Sequence, residues 1–265
     1  MVLYKGVELD EALPGLIGHM VSVEEYRETL QTLQSVWDNL TLLGQLSGTG
    51  TDMSGTRQAF QRLTCDLLNS LGRETLKKTV LEMQSKAQVA VDIMIRNLFE
   101  RTADIGFLAT DDDLRAYLAS HAGSEIADPA ERLKLEARFQ EYAQKYSVYC
   151  DILLLTPDGR EHAQLDRANP VEFSRDPLIR DSITTRDAYV ETFRASDLQP
   201  GVPAALIYSY RVANGDDRAL GVLCLCFRFQ NETEGIFANL ASSDDWSVIT
   251  LLDEGGHVIA SSDPW

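Results

Sequence analysis

Apolar residues recur at three- and four-residue steps through the first hundred residues. After about residue 148 they gather into short β-type runs, so the chain divides into a helical part and a sheet part. Leu30, Leu33, Val36, Trp37 and Leu40 predict a helix over about Ser22 to Ser47, with Ser22 and Glu25 as a capping box at its start. The glycine-rich stretch from Ser47 to Gly55 reads as a flexible break, and a second helix is expected from about Thr56 to Leu71. A third helix, Arg73 to about Arg101, holds no proline or glycine. Within it Leu76, Val80, Met83, Ala87, Ala90 and Met94 follow the a/d spacing of a heptad. Val89, Val91, Ile93, Ile95 and Leu98 widen the apolar face beyond that seam, which suggests a first part packed on another helix and a later part docked on a globular domain. Three heptads fit a seam between two copies and intramolecular bundle core equally well.

Downstream, the pattern predicts a short helix over Leu114 to Ser120 capped by Asp111 or Asp112, a loop from His121 to Asp128, and a helix from Pro129 to Tyr146. The apolar positions of that last helix are Leu133, Ala137, Phe139, Tyr142 and Tyr146. Strands are expected over Val148 to Thr156 and Arg160 to Asp166, joined by the turn Pro157-Asp158-Gly159. A short helix over Asp176 to Thr185 precedes strands over Ala188 to Phe193, Leu206 to Val212 and Leu220 to Phe229, with a hairpin turn at Asn214 to Asp217. A helix over about Asn231 to Leu240 and a hairpin, Trp246 to Leu252 and Val258 to Ser261, close the chain.

The 24 basic and 41 acidic residues give a net charge of −17. Such a surface repels phosphate backbones, so nucleic acid is not an expected partner. Cys65, Cys150, Cys224 and Cys226 form no CxxC pair, and Cys224 and Cys226 point to one face of a strand, a poor geometry for a disulfide. They read as reduced, mostly buried thiols of a reducing compartment. The N-terminus shows no signal peptide and no run reaches a transmembrane length, so a cytoplasmic location is expected, the alternative being an anchor beyond this sequence.

No signature of catalysis is present. His19, His121, His162 and His257 stand far apart in unrelated contexts, without zinc-site spacing. No nucleophile elbow, P-loop or dinucleotide fingerprint occurs, and Gly48-Thr49-Gly50 lacks both a third glycine and a preceding strand. Asp111 to Asp113 serve a helix N-terminus better than a metal. Neither an enzyme nor a cofactor is expected.

The order helix, strand, Asp-Gly turn, strand, helix and three further strands is that of a PAS-like antiparallel sheet. The residues resemble Cache domains, the extended PAS-like sensory modules of bacterial signal-transduction and chemotaxis proteins. The likeness rests on Asp151-Ile-Leu-Leu-Leu-Thr-Pro-Asp-Gly159 for the first hairpin and on Asp187-Ala-Tyr-Val-Glu191, Ile207-Tyr-Ser-Tyr-Arg-Val212 and Leu220-Gly-Val-Leu-Cys-Leu-Cys-Phe227 for the last three strands. Arg73 to Arg101 matches the leading helix. Val248 to Pro264 is similar to the opening hairpin of a second such module, as in a double-Cache chain cut inside that module; an extra hairpin completing the first sheet is the alternative. The resemblance implies an α+β fold: a helical region over residues 1–72, a long helix and sensor domain over 73–240, and the start of a second module over 241–265.

Family members usually sit outside the membrane between two transmembrane helices. This chain departs from that arrangement and resembles cytoplasmic receptors instead. The resemblance places the pocket on the sheet face opposite the long helix, with ligand contacts at Arg186, Tyr189, Asp197, Tyr208 and Tyr210. Strand alternation puts Tyr208 and Tyr210 on one face and Ser209 and Arg211 on the other. The amino-acid-binding subgroup carries a tyrosine–arginine–tryptophan–tyrosine–aspartate pattern, which does not align because no tryptophan lies between Trp37 and Trp246. The expected function is a small-molecule-sensing input domain coupled to a helix rearrangement. Its expected partners are a small-molecule ligand, a downstream output domain or chemotaxis adaptor or kinase, and a second copy in a homodimer. The competing reading is a protein-interaction module with no small ligand, in which residues 1–72 dock a partner.

Overall fold

A computed structural model describes residues 2–47, 54–121, 129–241 and 247–263 of the chain. The greater part of the glycine-rich break, of the loop after His121, and the expected roles of Trp246 and Pro264 fall outside the described residues. The chain separates into two compact units, residues 1–86 and 87–265.

The first unit opens with an unexpected hairpin: β1 (Val2–Tyr4) pairs antiparallel with β2 (Val7–Leu9). Lys5 and Gly6 at its turn both take positive φ, 44° and 86°, as a two-residue hairpin turn requires. A 3-10 turn (Ile17–His19) leads into α1 (Val21–Leu46). Val7, Leu9, Leu13, Ile17, Val23 and Leu68 form the core of this unit. Helix α1 starts one residue before Ser22, with Met20 at the cap position and no side chain capping it. Ser22 therefore lies inside the first turn, and the expected capping box does not form. Met20 packs against the apolar core instead, and that burial sets the start.

The second and third expected helices are one, α2 (Ser54–Ala109). Gly72 does not interrupt it. A Cβ there would come within 2.9 Å of Leu13 Cδ1, so the glycine lets the loop before α1 approach the helix. Asn69 fastens the same region, accepting from the Asp10 amide at 2.8 Å and donating to the Glu8 carbonyl at 3.0 Å. The heptad positions divide. Val80 and Met83 stay 42% and 53% exposed. Ala90, by contrast, is buried with Phe237 and Ala260, and Met94 packs on that cluster.

In the second unit the end of α2 is followed by α3 (Asp112–Ser120) and α4 (Pro129–Lys145). Asp111 caps α3, accepting from the amides of Asp113 and Leu114 at 3.0 and 3.3 Å. Helix α4 buries Leu135 and Phe139, while Leu133 and Ala137 are exposed. Its apolar stripe is thus Leu135, Phe139, Tyr142 and Ala143, one turn-face round from the expected one. Strands β3 (Tyr149–Leu155), β4 (Glu161–Gln164), β5 (Val190–Arg194), β6 (Ala205–Ala213) and β7 (Ala219–Phe227) form one sheet in the order β4-β3-β7-β6-β5, every neighbour antiparallel. At the β3–β4 turn Gly159 has φ of 97°, and a Cβ would meet the Ser174 carbonyl at 2.2 Å, so only glycine fits. Helix α5 (Pro177–Thr184) begins with proline at its first position and Asp176 as its cap. After β7 come α6 (Phe229–Leu240), β8 (Thr250–Leu252) and β9 (Val258–Ser261). The β8–β9 hairpin is a two-stranded sheet of its own and does not extend the five-stranded one.

The fold is α+β, a helical region and long helix followed by a five-stranded antiparallel sheet between helices, as the sequence implied. Among the described residues no helix is long and apolar enough to cross a membrane.

Candidate functional site

Alternation along the strands gives the sheet two faces. Ile152, Leu154, Leu206, Tyr208, Leu223, Leu225 and Phe227 face the end of α2, α3 and α4, where they meet Ile105, Leu108, Leu118 and Phe139. Leu153, Leu155, Ile207, Val222, Cys224 and Cys226 face α5 and the loops around Val171 and Leu198. Tyr208 and Tyr210 share the first face and Ser209 lies on the second, as alternation requires.

The pocket was expected on the face away from the long helix, with the two tyrosines pointing into it. The tyrosines instead point toward the long helix. Tyr208 is buried, its ring 5.3 Å from that of Tyr189 and 4.8 Å from that of Phe227. Burial pushes its hydroxyl well above the ordinary phenol range. The other face is closed by packing and hydrogen bonds. The hydroxyls of Ser182 and Ser209 meet at 2.6 Å. Asp151 is buried and accepts from the amides of Ile152 and Asp166 and from the Gln164 carboxamide at 2.7 Å.

The five expected contact residues are not gathered in one place. Tyr189 and Tyr208 stack together on the long-helix face. Asp197 lies beyond β5 on the α5 side, where it accepts from the Ser174 hydroxyl at 2.5 Å and the Arg175 amide at 2.8 Å and so holds a loop. Arg186 is exposed ahead of β5. Tyr210 alone lines an open cleft.

That cleft, of about 290 Å³, lies where α3, the end of α5, the segment leading to β5 and the β6–β7 turn converge. Arg115, Ser182, Asp187, Tyr210, Arg211 and Asp217 are among its walls. Arg211 is engaged, donating to the Asp217 carboxylate at 2.6 Å. Asn214 organises the turn by accepting from the amides of Asp216 and Arg218 at 3.1 and 2.9 Å. Arg115 differs: its Nε is buried without a hydrogen-bond partner, and no carboxylate pairs with its guanidinium among the described residues. A buried donor nitrogen left unsatisfied costs ~1–3 kcal/mol, so the Nε of this half-buried arginine is open to an added acceptor. A planar guanidinium is suited to a two-oxygen anion such as a carboxylate.

Sequence reasoning missed Arg115. It sits in a short helix 95 positions before Tyr210, and nothing in its local pattern separates it from an ordinary surface arginine. His121 and His162 were also read as unrelated. The fold brings both onto the Tyr117 ring, at centroid distances of 4.5 and 5.8 Å. Burial pushes Tyr117 up to about 12 and lowers His162 below the ordinary imidazole value. Among the described residues no group of three His, Cys, Asp or Glu side chains is arranged to hold a metal.

No protein-family model matches the sequence, and no curated relative does. Solved structures do match. The sensor domain of the histidine kinase DctB from V. cholerae is similar with a TM-score of 0.56 and 17% identity, over 72% of this chain and 69% of that one. A domain of a sensory box/GGDEF family protein from Vibrio parahaemolyticus is similar with a TM-score of 0.50 and 16% identity, over 72% and 73%. The chain shares the fold of these domains over that length.

Proposed function

We propose that this protein is a small-molecule-sensing input domain of a chemotaxis-type signalling protein, without catalytic activity, and that its ligand is a small anion held in the Arg115–Tyr210 cleft. The observation that carries this reading is the buried, unpartnered Nε of Arg115 in an open cleft that Tyr210 also lines, in a sensor-type fold. A carboxylate would pair with Arg115 and take a hydrogen bond from the Tyr210 hydroxyl. Because the cleft is bounded by both α3 and the β6–β7 turn, filling it would favour one packing of α3, and of the end of α2 that precedes it, against the sheet. The change would pass to an output domain, a chemotaxis adaptor or a kinase.

The test is a thermal-shift screen of small carboxylates against the purified chain. A ligand that binds the folded form raises the melting temperature by mass action. The shift is expected to vanish in Arg115→Ala and to weaken in Tyr210→Phe. A shift retained in Arg115→Ala would move the site elsewhere, and the absence of any shift across the screen would defeat the sensing reading.

Further parts of the proposal rest on the fold. The β8–β9 hairpin would open a second module of the same type, testable by extending or deleting residues after Leu240. The exposed Val80 and Met83 support a homodimer seam shortened to the part of α2 before Ala90. Light scattering on Val80→Glu with Met83→Glu would test it: the mass should fall to that of one chain. The four free cysteines fit a cytoplasmic location, which cell fractionation would check. A second reading applies to the first unit alone. Trp37, Leu40 and Leu43 are 41%, 59% and 62% exposed along α1, a stripe that a protein partner would cover.

A further inference from the structure

A second cavity lies away from the sensing cleft. It opens between the end of α2, the ends of the central strands and α6, and Met94, Leu98, Leu206, Phe227, Phe229 and Ile236 make its apolar wall. The volume is about 110 Å³. The space opens to solvent on one side, and several of its apolar wall residues are only half-buried, so apolar surface is left facing water there. Two of the wall residues are held by their own ring contacts: Phe227 packs on Tyr149 and Tyr208 at ring distances of 5.2 and 4.8 Å, and the Phe229 ring meets Phe193 at 5.3 Å.

Its rim is polar and carries a charge bias. Two guanidiniums, Arg101 and Arg228, border it against one carboxylate, Glu232. Arg101 is engaged with Asp104 at 2.7 Å and lies 5.1 Å from the Tyr146 ring centroid. Arg228 donates its backbone amide to Val148 at 2.8 Å, while its side chain has no ion pair among the described residues. Thr233, on the same rim, spends its hydroxyl on the Phe229 carbonyl at 2.7 Å. Arg228 is thus a free cation at the mouth of an apolar hole, with the Glu232 carboxylate four positions along on the same rim.

We propose that this cavity is a binding site for a short-chain amphiphilic carboxylate, with the alkyl part against Met94, Leu98 and Ile236 and the carboxylate on Arg228. A cavity of ~150 Å³ holds a benzene-sized molecule, so this one takes an alkyl part of about four to six carbons. The site is built from α2 and α6, and α6 leads to the β8–β9 hairpin, whose Ala260 packs with Ala90 of α2 and Phe237 of α6. A ligand there would alter how α6 sits on α2, independently of the sensing cleft.

The experiment compares hexanoate, hexanol and acetate as probes of the full chain by thermal shift. Hexanoate is expected to raise the melting temperature by about 3–6 °C at ten times its dissociation constant. Hexanol should give a smaller rise and acetate none. Arg228→Gln should reduce the hexanoate shift to that of hexanol, and Ile236→Trp, which fills the space, should abolish both shifts. Methyl NOEs from hexanoate to Met94 and Ile236 locate the probe in the unaltered protein, so the test stands even if Ile236→Trp fails to fold. Arg115→Ala should leave the hexanoate shift unchanged. The proposal is overturned if acetate matches hexanoate, if Arg228→Gln changes nothing, if the NOEs are absent, or if Arg115→Ala removes the shift and so assigns hexanoate to the cleft.

Discussion

The two faces of the five-stranded sheet are held by different means. Toward α2, α3 and α4 the contacts are apolar and aromatic, with Tyr149, Tyr208, Phe139 and Phe227 among the large rings packed there. Toward α5 the residues are smaller, and polar groups are buried among them: Asp151, Gln164, Ser174, Asp176, Ser182 and Ser209. One face relies on volume, the other on completed hydrogen bonds. A volume-filled face leaves a space wherever side chains fall short, and the apolar cavity beneath α6 lies on this side. A hydrogen-bonded face closes fully, because each buried polar group demands a partner. The open polar cleft lies at the end of the sheet, between α3, α5 and the β6–β7 turn.

Substitutions should separate the two faces by size of effect. Phe139→Ala, which removes a buried ring from the long-helix face, should cost about 3–5 kcal/mol in urea unfolding. A loss under about 1 kcal/mol would mean that this face does not depend on volume. Asp176→Ala comes next. Asp176 caps α5 at the Leu178 amide, 2.8 Å away, and its carboxylate holds Arg194 at 2.5 Å and the Ser196 hydroxyl. Removing these should cost about 2–4 kcal/mol by the same measurement. Ser209→Ala should cost only about 1–2 kcal/mol: it removes a hydroxyl that meets the Ser182 hydroxyl and the Val190 carbonyl, and leaves the Ser182 hydroxyl its bond to the Leu178 carbonyl.

The smallest effect is the most diagnostic, because the two buried aspartates of the α5 face respond to pH in opposite senses. Burial raises Asp151, and its three amide donors only partly counter this. The folded state then holds that proton more tightly than the unfolded chain. Its contribution is present below the unfolded value of about 4 and is lost as pH rises through the folded one. Burial also pushes Asp176 up, but Arg194, Ser196 and the Leu178 amide outweigh it and hold the carboxyl below its ordinary value. Its contribution is present above about 4 and is lost as pH falls through the folded value. Asp151→Asn should therefore lie furthest below the natural protein near pH 4 and approach it toward pH 8. A constant difference across that range would remove Asp151 from the account.

Much of the fold was legible in the chain. The Asp-Gly turn, the alternation around Tyr208, the short helix from Asp176 and a capping aspartate at Asp111 or Asp112 are local signals, and the structure has each, with Asp111 as the cap. The errors share a cause. Gly72 reads as a breaker until Leu13 is seen against it. Ser22 reads as a cap until Met20 is seen in the core. The stripe of α4 depends on what covers it. The candidate site was least legible: of the five residues singled out, only Tyr210 lines the cleft, and Arg115 could not be found from its surroundings in the chain.

The sequence by itself determined the kinds of element, their order and which residues share a strand face, because period, turn chemistry and capping act over a few residues. Only the tertiary structure decided what each face of the sheet packs against, which helix breaks were real and which arginine nitrogen was buried without a partner. Those outcomes depend on whether distant atoms meet, and a buried group is satisfied or orphaned only once they have.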